Sequence, residues 1–216
     1  MATTRRGRPP SYSRSAALET ALALFWERGY EATSIADLTA AMGIGAPSLY
    51  AAFHSKRELF DEVVALYART YRGFMATALA EEPTLRAGLE RMLREAAGAY
   101  TLPGHPHGCL VINGATNCSS PAVQQTLREL RAAGVAQLEQ LIKAAIDAGE
   151  LEETADTRTL ALSISVVMQG MADQARDGAE RRELEAVAAL AVQAWPWAAA
   201  WRGACLPGRP TAPGSA

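Results

Sequence analysis

The side chains best suited to metal binding or covalent chemistry lie together near the middle of the chain. His105, His107 and Cys109 occupy alternate positions, and Cys118 follows nine residues after Cys109. Imidazole and thiolate groups bind zinc and copper, and a thiol beside an imidazole is the pair that a cysteine hydrolase uses. The spacing matches no standard metal motif, and no acidic residue is placed to orient a histidine. We therefore expect no metal, no cofactor and no enzymatic activity, with a cysteine hydrolase built on Cys109 as the alternative.

A packing role for the same residues competes with the chemical ones. Cys109 and Cys118 would then be small core residues, with both histidines in a solvated loop. The chain has three cysteines, and their odd number and irregular spacing predict reduced thiols rather than a disulfide framework. Asn113 and Asn117 lie on a predicted short helix over residues 109–118. Amides in such an apolar stretch need hydrogen-bond partners, either a ligand or neighbouring backbone.

A second group of residues, near the N-terminus, forms a pattern of helix boundaries. Ser34 and Asp37 predict the start of a short helix, because the serine caps free amides and the aspartate favours the positive helix end. Gly43 ends this helix, and a second short helix begins at Ala46, where Pro47 is tolerated in the first turn. Two short helices around a glycine turn predict a helix-turn-helix.

The two faces of this motif differ in side-chain size. Gly45, Ala46 and Ser48 keep one face low in profile, so that the backbone could approach base edges in a DNA major groove. The other face is apolar and has the spacing that buries it against a preceding helix at about 13–28. Its residues are Ile35, Leu38, Met42, Ile44 and Leu49.

From Ala32 to Phe60 the sequence resembles the signature of the TetR family of transcriptional regulators. The resemblance implies that the hydroxyls of Thr33 and Tyr50 and the ammonium group of Lys56 bind DNA phosphates, which position the domain. For Tyr50 the alternative is a half-buried aromatic ring that stabilises the turn. The implied DNA-binding set also includes Gly45, Ala46, Pro47, Ser48 and His54.

The first twelve residues predict a disordered basic arm that contains Arg5, Arg6 and Arg8. The run Arg6-Gly7-Arg8-Pro9 resembles the core of an AT-hook, which lays arginines into a narrow minor groove, and a solubilising tail is the alternative. Residues 1–60 carry seven basic and five acidic side chains, although the whole chain has a net charge of −2. Positive charge is therefore concentrated where a nucleic acid would contact it.

Helical periodicity and the low aromatic content of 6% predict an all-α protein of 216 residues with two domains. A long helix from Ser55 to about Leu79 would link them, and the last two helices would span about 156–176 and 180–200. We expect a disordered basic arm (1–12), a three-helix helix-turn-helix DNA-binding domain (13–60), a helical ligand-binding and dimerisation domain (61–202) and a disordered tail (203–216).

The family resemblance further implies a small-molecule pocket and a dimer interface in the second domain. Some members carry a reactive cysteine near the start of the sixth helix, which adds a redox or electrophile sensor to the interpretations of Cys109. The predicted pocket residues are Met92, Tyr100, Cys109, Val111, Asn113, Asn117, Met168 and Met171. The predicted interface, formed by the last two helices of each subunit, comprises Ile164, Val167, Leu184, Val187, Leu190, Ala191, Ala194 and Trp195.

The sequence therefore predicts a ligand-responsive transcriptional repressor. It would bind a palindromic double-stranded DNA operator as a homodimer and be released by a small-molecule inducer or by cysteine modification. A transcriptional activator with the same DNA-binding mode is one alternative, and a helical scaffold that binds only proteins is another. The sequence shows neither an apolar run that could span a bilayer nor a signal peptide, so we expect a cytoplasmic protein without membrane association.

Overall fold

The computed structural model describes residues 13–198, and ten helices run through that range. The predicted basic arm with Arg5, Arg6 and Arg8 and the predicted tail lie outside the described residues. Within 13–198 there are no named strands, and one isolated antiparallel bridge joins Leu151 to Trp197. The all-α fold is thus confirmed. The helices are α1 (Arg14–Arg28), α2 (Ile35–Met42), α3 (Ala46–Phe53), α4 (Lys56–Tyr71), α5 (Gly73–Glu81), α6 (Leu85–Tyr100), α7 (Leu110–Asn113), α8 (Pro121–Asp147), α9 (Thr157–Arg176) and α10 (Arg181–Gln193).

Side-chain caps set the starts of the N-terminal helices. Ser34 accepts a hydrogen bond from the Asp37 amide at 3.0 Å, as predicted, and the Asp37 carboxylate accepts one from the Ser34 amide at 2.8 Å, so the two residues form a capping box. Ser55 caps α4 in the same way, through the Glu58 amide. Gly43 ends α2 in the left-handed conformation, with a φ of 66°, so the turn into α3 needs a residue without a Cβ atom.

Helices α1 to α4 share a core of fully buried aromatic and aliphatic side chains. The Phe25 ring packs edge-on against Phe60, with ring centroids 5.1 Å apart, and Leu38 and Leu49 bring α2 and α3 onto the same core. Burial of side chains of this size contributes about 1.5–3 kcal/mol each. The predicted apolar face of the helix-turn-helix therefore positions α3 against α1 and α4.

The predicted long helix from Ser55 to Leu79 is two helices, which corrects that prediction. The helix is interrupted at Arg72, whose φ of −116° and ψ of −3° depart from helical values. Helix α5 begins at Gly73. Glycine has a low helix propensity, so interrupting the helix at this position costs little free energy. Gly88 of α6 then allows α5 to pack closely, because a Cβ atom there would lie 3.3 Å from the Ala78 carbonyl oxygen.

The second domain is built from α5 to α10. Helix α6 packs against α5 and α10, and α8 packs along α9. The short helix α7 contacts both domains, since it lies against α1 and α4 as well as α8 and α9. Two hydrogen bonds cross this junction: the Trp26 indole donates to the Gly108 carbonyl at 3.3 Å, and the Tyr30 amide donates to the Gly114 carbonyl at 2.9 Å.

Helix α10 ends at Gln193, which corrects the predicted end near residue 200. Pro196 disfavours helical geometry at the preceding residue, so the chain turns away. The Trp197 indole donates to the Val192 carbonyl at 2.7 Å, and the rings of Trp195 and Trp197 stack with centroids 5.5 Å apart. No helix in the described range is long and apolar enough to cross a membrane.

Candidate nucleic-acid interface and sensor cavity

The start of α3 presents a surface of small residues. Gly45, Pro47 and Ser48 are exposed and Ala46 is half-buried, while Leu49 on the opposite side is fully buried. Gly45 precedes the helix in an extended conformation and provides no side-chain cap. This end of α3 is therefore narrow enough for its backbone to approach a surface closely.

Thr33 occupies a different environment from the one predicted. Its side chain is fully buried, and its hydroxyl donates to the Gly29 carbonyl at 2.8 Å. Hydroxyl contact with a phosphate is not compatible with this position. Thr33 instead holds the end of α1 against the start of α2.

Tyr50, His54 and Lys56 follow the small residues around the end of α3. Tyr50 is 45% exposed. This exposure is compatible with both predicted roles, phosphate binding by the hydroxyl and support of the turn by the ring. His54 is exposed and ends α3 with a φ of 60°, its amide donating to the Tyr50 carbonyl at 2.8 Å. Lys56 is half-buried, because its ammonium group lies 4.2 Å from the centre of the Tyr30 ring.

The charges around this surface are largely engaged within the protein. Burial lowers the pKa of Lys56, and the neighbouring carboxylate of Glu31 acts in the opposite direction. Arg14 pairs with Glu62 at 2.6 Å, and Arg28 lies 3.7 Å from an oxygen of Asp37. Within the described range, the positive charge that this face offers to DNA is therefore modest.

A cavity of about 70 Å³ lies in the second domain, between the α4–α5 junction and helices α6, α8 and α9. Five of the predicted pocket residues line it: Met92, Tyr100, Cys109, Val111 and Met168. The wall is mostly apolar, with Met75, Leu79 and Val135 beside these residues. A concave, mostly apolar space with a few polar groups is typical of a small-molecule site.

Three predicted pocket residues do not line this cavity. Met171 is buried elsewhere in the core. Asn113 is also buried, but its side-chain oxygen accepts from the Cys109 amide at 3.1 Å and its amide donates to Asp173 at 2.5 Å, so it fastens α7 to α9. Asn117 is exposed in the turn after α7, with a φ of 55°, and does not share a helix with Asn113.

The prediction misses both charged residues of the cavity wall, Arg72 at the α4–α5 junction and Arg131 on α8. A signal for Arg131 existed in the sequence, because it continues the buried stripe of Leu127, Val135 and Leu138 at helical spacing. An arginine in phase with buried apolar residues indicates a polar group turned inward. Arg72 gives no comparable signal, since its position depends on the break between α4 and α5.

Within residues 13–198, His105 and His107 make hydrogen bonds to groups other than the two cysteines. The Nε2 atom of His105 lies 3.1 Å from the Tyr71 hydroxyl, and Nδ1 of His107 lies 3.1 Å from the Ala175 carbonyl oxygen. Cys109 and Cys118 are both buried, and burial raises the pKa of the Cys118 thiol. No three ligating side chains converge in this range. His105 is half-buried, so the predicted solvated loop is wrong at that residue.

Helices α9 and α10 present an exposed apolar face. Val166 is 65% exposed and Leu190 is 66% exposed, and Leu162 and Val187 extend the patch. Of the predicted interface residues, Val187, Leu190 and Ala194 are exposed and Val167 and Ala191 are half-buried. Ile164, Leu184 and Trp195 are buried within the chain's own core, where they pack α9 and α10 internally, so these three predictions are wrong.

Helix-turn-helix geometry, joined to a second, all-helical domain that contains a cavity, defines a DNA-binding regulator. The model described as "Bacterial regulatory proteins, tetR family" matches residues 17–63. The model described as "Tetracyclin repressor-like, C-terminal domain" matches residues 84–191. The chain belongs to the TetR family of transcriptional regulators.

Individual relatives agree over most of the chain. The transcriptional repressor ComR of Escherichia coli is 36% identical, covering 88% of this chain and 92% of ComR. The repressor BdcR of the same organism is 30% identical over 87% of this chain and 91% of BdcR. A cysteine mutant of the TetR family regulator CifR, solved with 26-base-pair operator DNA, is 37% identical, covers 88% of this chain and 100% of that chain, and superposes with a TM-score of 0.82.

Proposed function

We propose that this protein is a ligand-responsive transcriptional repressor that binds a palindromic DNA operator as a homodimer. The observation that carries the proposal is the exposed start of α3, whose small residues project from a helix-turn-helix braced by a continuous core. Named relatives are repressors, and the CifR relative was solved on operator DNA. An activator that uses the same DNA-binding mode remains the alternative within this class.

DNA binding would use α3 as the recognition helix in the major groove. Gly45, Ala46, Pro47 and Ser48 would face the bases, with discrimination by apolar contact and shape because none has a long polar side chain. The Tyr50 hydroxyl would contact a phosphate beside them. The hydroxyl of Thr33 has no part in this mode, since it is buried and bonded to Gly29.

Charged contacts would orient the domain on the duplex. Lys56 begins α4, and its ammonium group retains a position near the surface while it lies over the Tyr30 ring. His54 would lie beside the same phosphates. Because Arg14 and Arg28 are engaged in ion pairs, the arm residues Arg5, Arg6 and Arg8 would supply much of the remaining positive charge.

Dimerisation would cover the apolar face of α9 and α10. Val166 and Leu190 are strongly exposed for aliphatic side chains, and Val187 and Ala194 lie beside them on α10. A two-fold axis through this face would bring together two helices from each subunit. A symmetric operator would then match the symmetry of the protein.

Release from DNA would follow from ligand binding in the cavity. The wall includes Arg72, at the point where α4 ends, and α4 begins directly after the recognition helix. A ligand that prefers one arrangement of α4 shifts the population between DNA-binding and DNA-released states. Modification of Cys109 would act at the same place, since its side chain forms part of the wall. Against the hydrolase alternative, His105 bonds to the Tyr71 hydroxyl and His107 to the Ala175 carbonyl rather than to Cys109.

Fluorescence anisotropy with DNA from the promoters of the protein's own and adjacent genes tests the proposal. The purified dimer is expected to bind with an affinity that falls steeply as salt rises, because phosphate contacts release counterions. Tyr50→Ala should weaken binding, whereas Arg128→Ala, at an exposed site on α8, should leave it unchanged. Absence of binding to these fragments by dimeric protein at low salt would contradict the proposal.

A further inference from the structure

The cavity in the second domain has an unusual charge balance. Its wall includes two guanidinium groups, those of Arg72 and Arg131, and contains neither aspartate nor glutamate. The rest of the polar lining is neutral and includes Tyr100, Ser165 and Gln169. An apolar site that holds positive charge without a compensating carboxylate is electrostatically complementary to an anion.

Arg131 lies on the inward face of α8. One of its N–H groups donates at 2.6 Å to the carbonyl of Val111, which is also a residue of the cavity wall. No carboxylate in the described range lies within 4.0 Å of it. Burial lowers the pKa of Arg131, and the positive charge of Arg128 lowers it further, as expected for a cation without a counter-ion.

Arg72 reaches the same cavity from the other side, at the junction of α4 and α5. It is half-buried and forms no ion pair with any residue in the range 13–198. Its charge acts on the fully buried Tyr100 phenol, opposing the rise in the pKa that burial causes. Two other arginines of this domain differ, since Arg86 pairs with Glu90 and Arg91 pairs with Glu95.

We propose that the cavity binds a small organic monocarboxylate, with the carboxylate between Arg72 and Arg131 and the apolar tail against Met75, Met92 and Met168. Guanidinium groups donate paired hydrogen bonds that match carboxylate geometry. The cavity volume of about 70 Å³ equals the liquid volume of about two water molecules, so a short-chain acid fits better than a long one.

This inference rests on the proposed function and adds to it the chemical class of the inducer. It also gives a route from ligand to DNA. Arg72 directly follows the last residue of α4, and Lys56 at the other end of α4 directly adjoins the recognition motif. A carboxylate held between α8 and Arg72 therefore binds one end of the helix that carries the DNA-binding domain.

Isothermal titration calorimetry of the full chain at neutral pH and constant ionic strength tests the inference. The probes are butanoate and butanamide, which have the same number of non-hydrogen atoms and differ in charge. Butanoate should bind at least about tenfold more tightly, because hydrogen bonds between charged groups exceed neutral ones by that margin. Arg72→Gln and Arg131→Gln should each remove the preference, whereas Arg131→Lys should retain part of it.

Arg128→Gln is the matched control, because Arg128 lies one turn from Arg131 on α8 but does not line the cavity. It should keep the preference for butanoate. If butanamide binds as well as butanoate, if neither binds at millimolar concentration, or if Arg131→Gln keeps the preference, the inference is overturned.

A parallel anisotropy measurement separates this inference from the proposed function. Butanoate that binds in the cavity without changing operator affinity would support the site but contradict release by ligand. Operator release by neutral compounds, together with no binding of butanoate in the calorimeter, would support ligand-responsive repression and overturn the carboxylate site.

Discussion

The α3 surface and the cavity of the second domain differ in how their charged groups are balanced. Around α3, Arg14 and Arg28 pair with acidic residues and Lys56 lies over an aromatic ring. In the cavity wall, Arg72 and Arg131 have no carboxylate partner in the described range. Most of the positive charge on the proposed DNA-binding surface is thus engaged within the protein, whereas the cavity retains uncompensated positive charge. This difference in charge balance fits a repressor that binds DNA weakly and mainly by shape, and that a small anion in the cavity would release from DNA.

The two regions also differ in how they are assembled. The α3 surface comes from one continuous stretch, residues 33–56, in which side chains cap the starts of α2 and α4 and Gly43 ends α2. The cavity draws its wall from the α4–α5 junction and from α6, α8 and α9, which are far apart in the sequence. Local chemistry positions the first region, and long-range packing positions the second.

The largest expected effect follows from removing the core beneath α3. Phe60→Ala should lower the free energy of unfolding by about 3–5 kcal/mol, because the ring is fully buried between Phe25 and Tyr30. Phe74→Ala is the control, since Phe74 on α5 is only half-buried and should cost less. Urea denaturation followed by circular dichroism measures both. Equal losses would indicate that the α3 region does not depend on this core.

A second large effect concerns the exposed face of α9 and α10. Val166→Glu should shift the protein from dimer to monomer, and Leu190→Glu should do the same, because each would bury a carboxylate beside its symmetry mate. Ala133→Glu on α8, also at an exposed position, serves as the control. Analytical ultracentrifugation gives the dissociation constants. Dimers that persist unchanged in both variants would place the interface elsewhere.

A moderate effect is expected from one charge near α3. Lys56→Met should weaken operator binding about tenfold at low salt and reduce the slope of affinity against salt by about one phosphate contact. Lys143→Met, on the exposed side of α8, should change neither quantity. Anisotropy titrations at several salt concentrations provide the comparison. A full loss of binding without a change in slope would indicate a structural role for Lys56.

The smallest effect concerns a contact between the two domains. The Glu31 carboxylate accepts hydrogen bonds from the Ser119 hydroxyl at 2.8 Å and the Ser119 amide at 3.0 Å, and these bonds lower its pKa from the ordinary 4.5. Because the folded-state pKa is lowered, this stabilisation is present above pH 4.5 and is lost as pH falls through the lowered value.

Glu31→Gln should therefore lower the Tm slightly at neutral pH, and the gap from the wild type should close in acid. Glu19→Gln, an exposed change on α1, should give no such convergence. Thermal denaturation across the acidic range measures the difference. A gap that widens as pH falls would contradict the assigned role of the Glu31 contact.

The same contrast explains what could be predicted from the sequence. The capping box of Ser34 and Asp37, the left-handed Gly43 and the start of α3 at Ala46 depend on neighbouring residues, and the structure agrees at each. Thr33 is the exception in this stretch. Its burial depends on how the turn after α1 closes, which residue type alone does not determine.

Long-range packing accounts for the failures in the second domain. Helical periodicity identified apolar faces but could not tell an internal face from an external one, so Ile164 and Leu184 were assigned to a dimer interface although they are buried within the chain. Asn113 and Asn117 were expected on one helix, but α7 ends at Asn113. Arg72 enters the cavity only because the chain bends there.

DNase I footprinting on the DNA upstream of the protein's own and adjacent genes tests the central claim most directly. The account predicts a protected palindrome whose half-sites lie about one helical turn apart, lost in the double variant Tyr50→Ala, Lys56→Met. Protection that is uniform along the fragment, or unchanged in the double variant, would contradict operator recognition through α3.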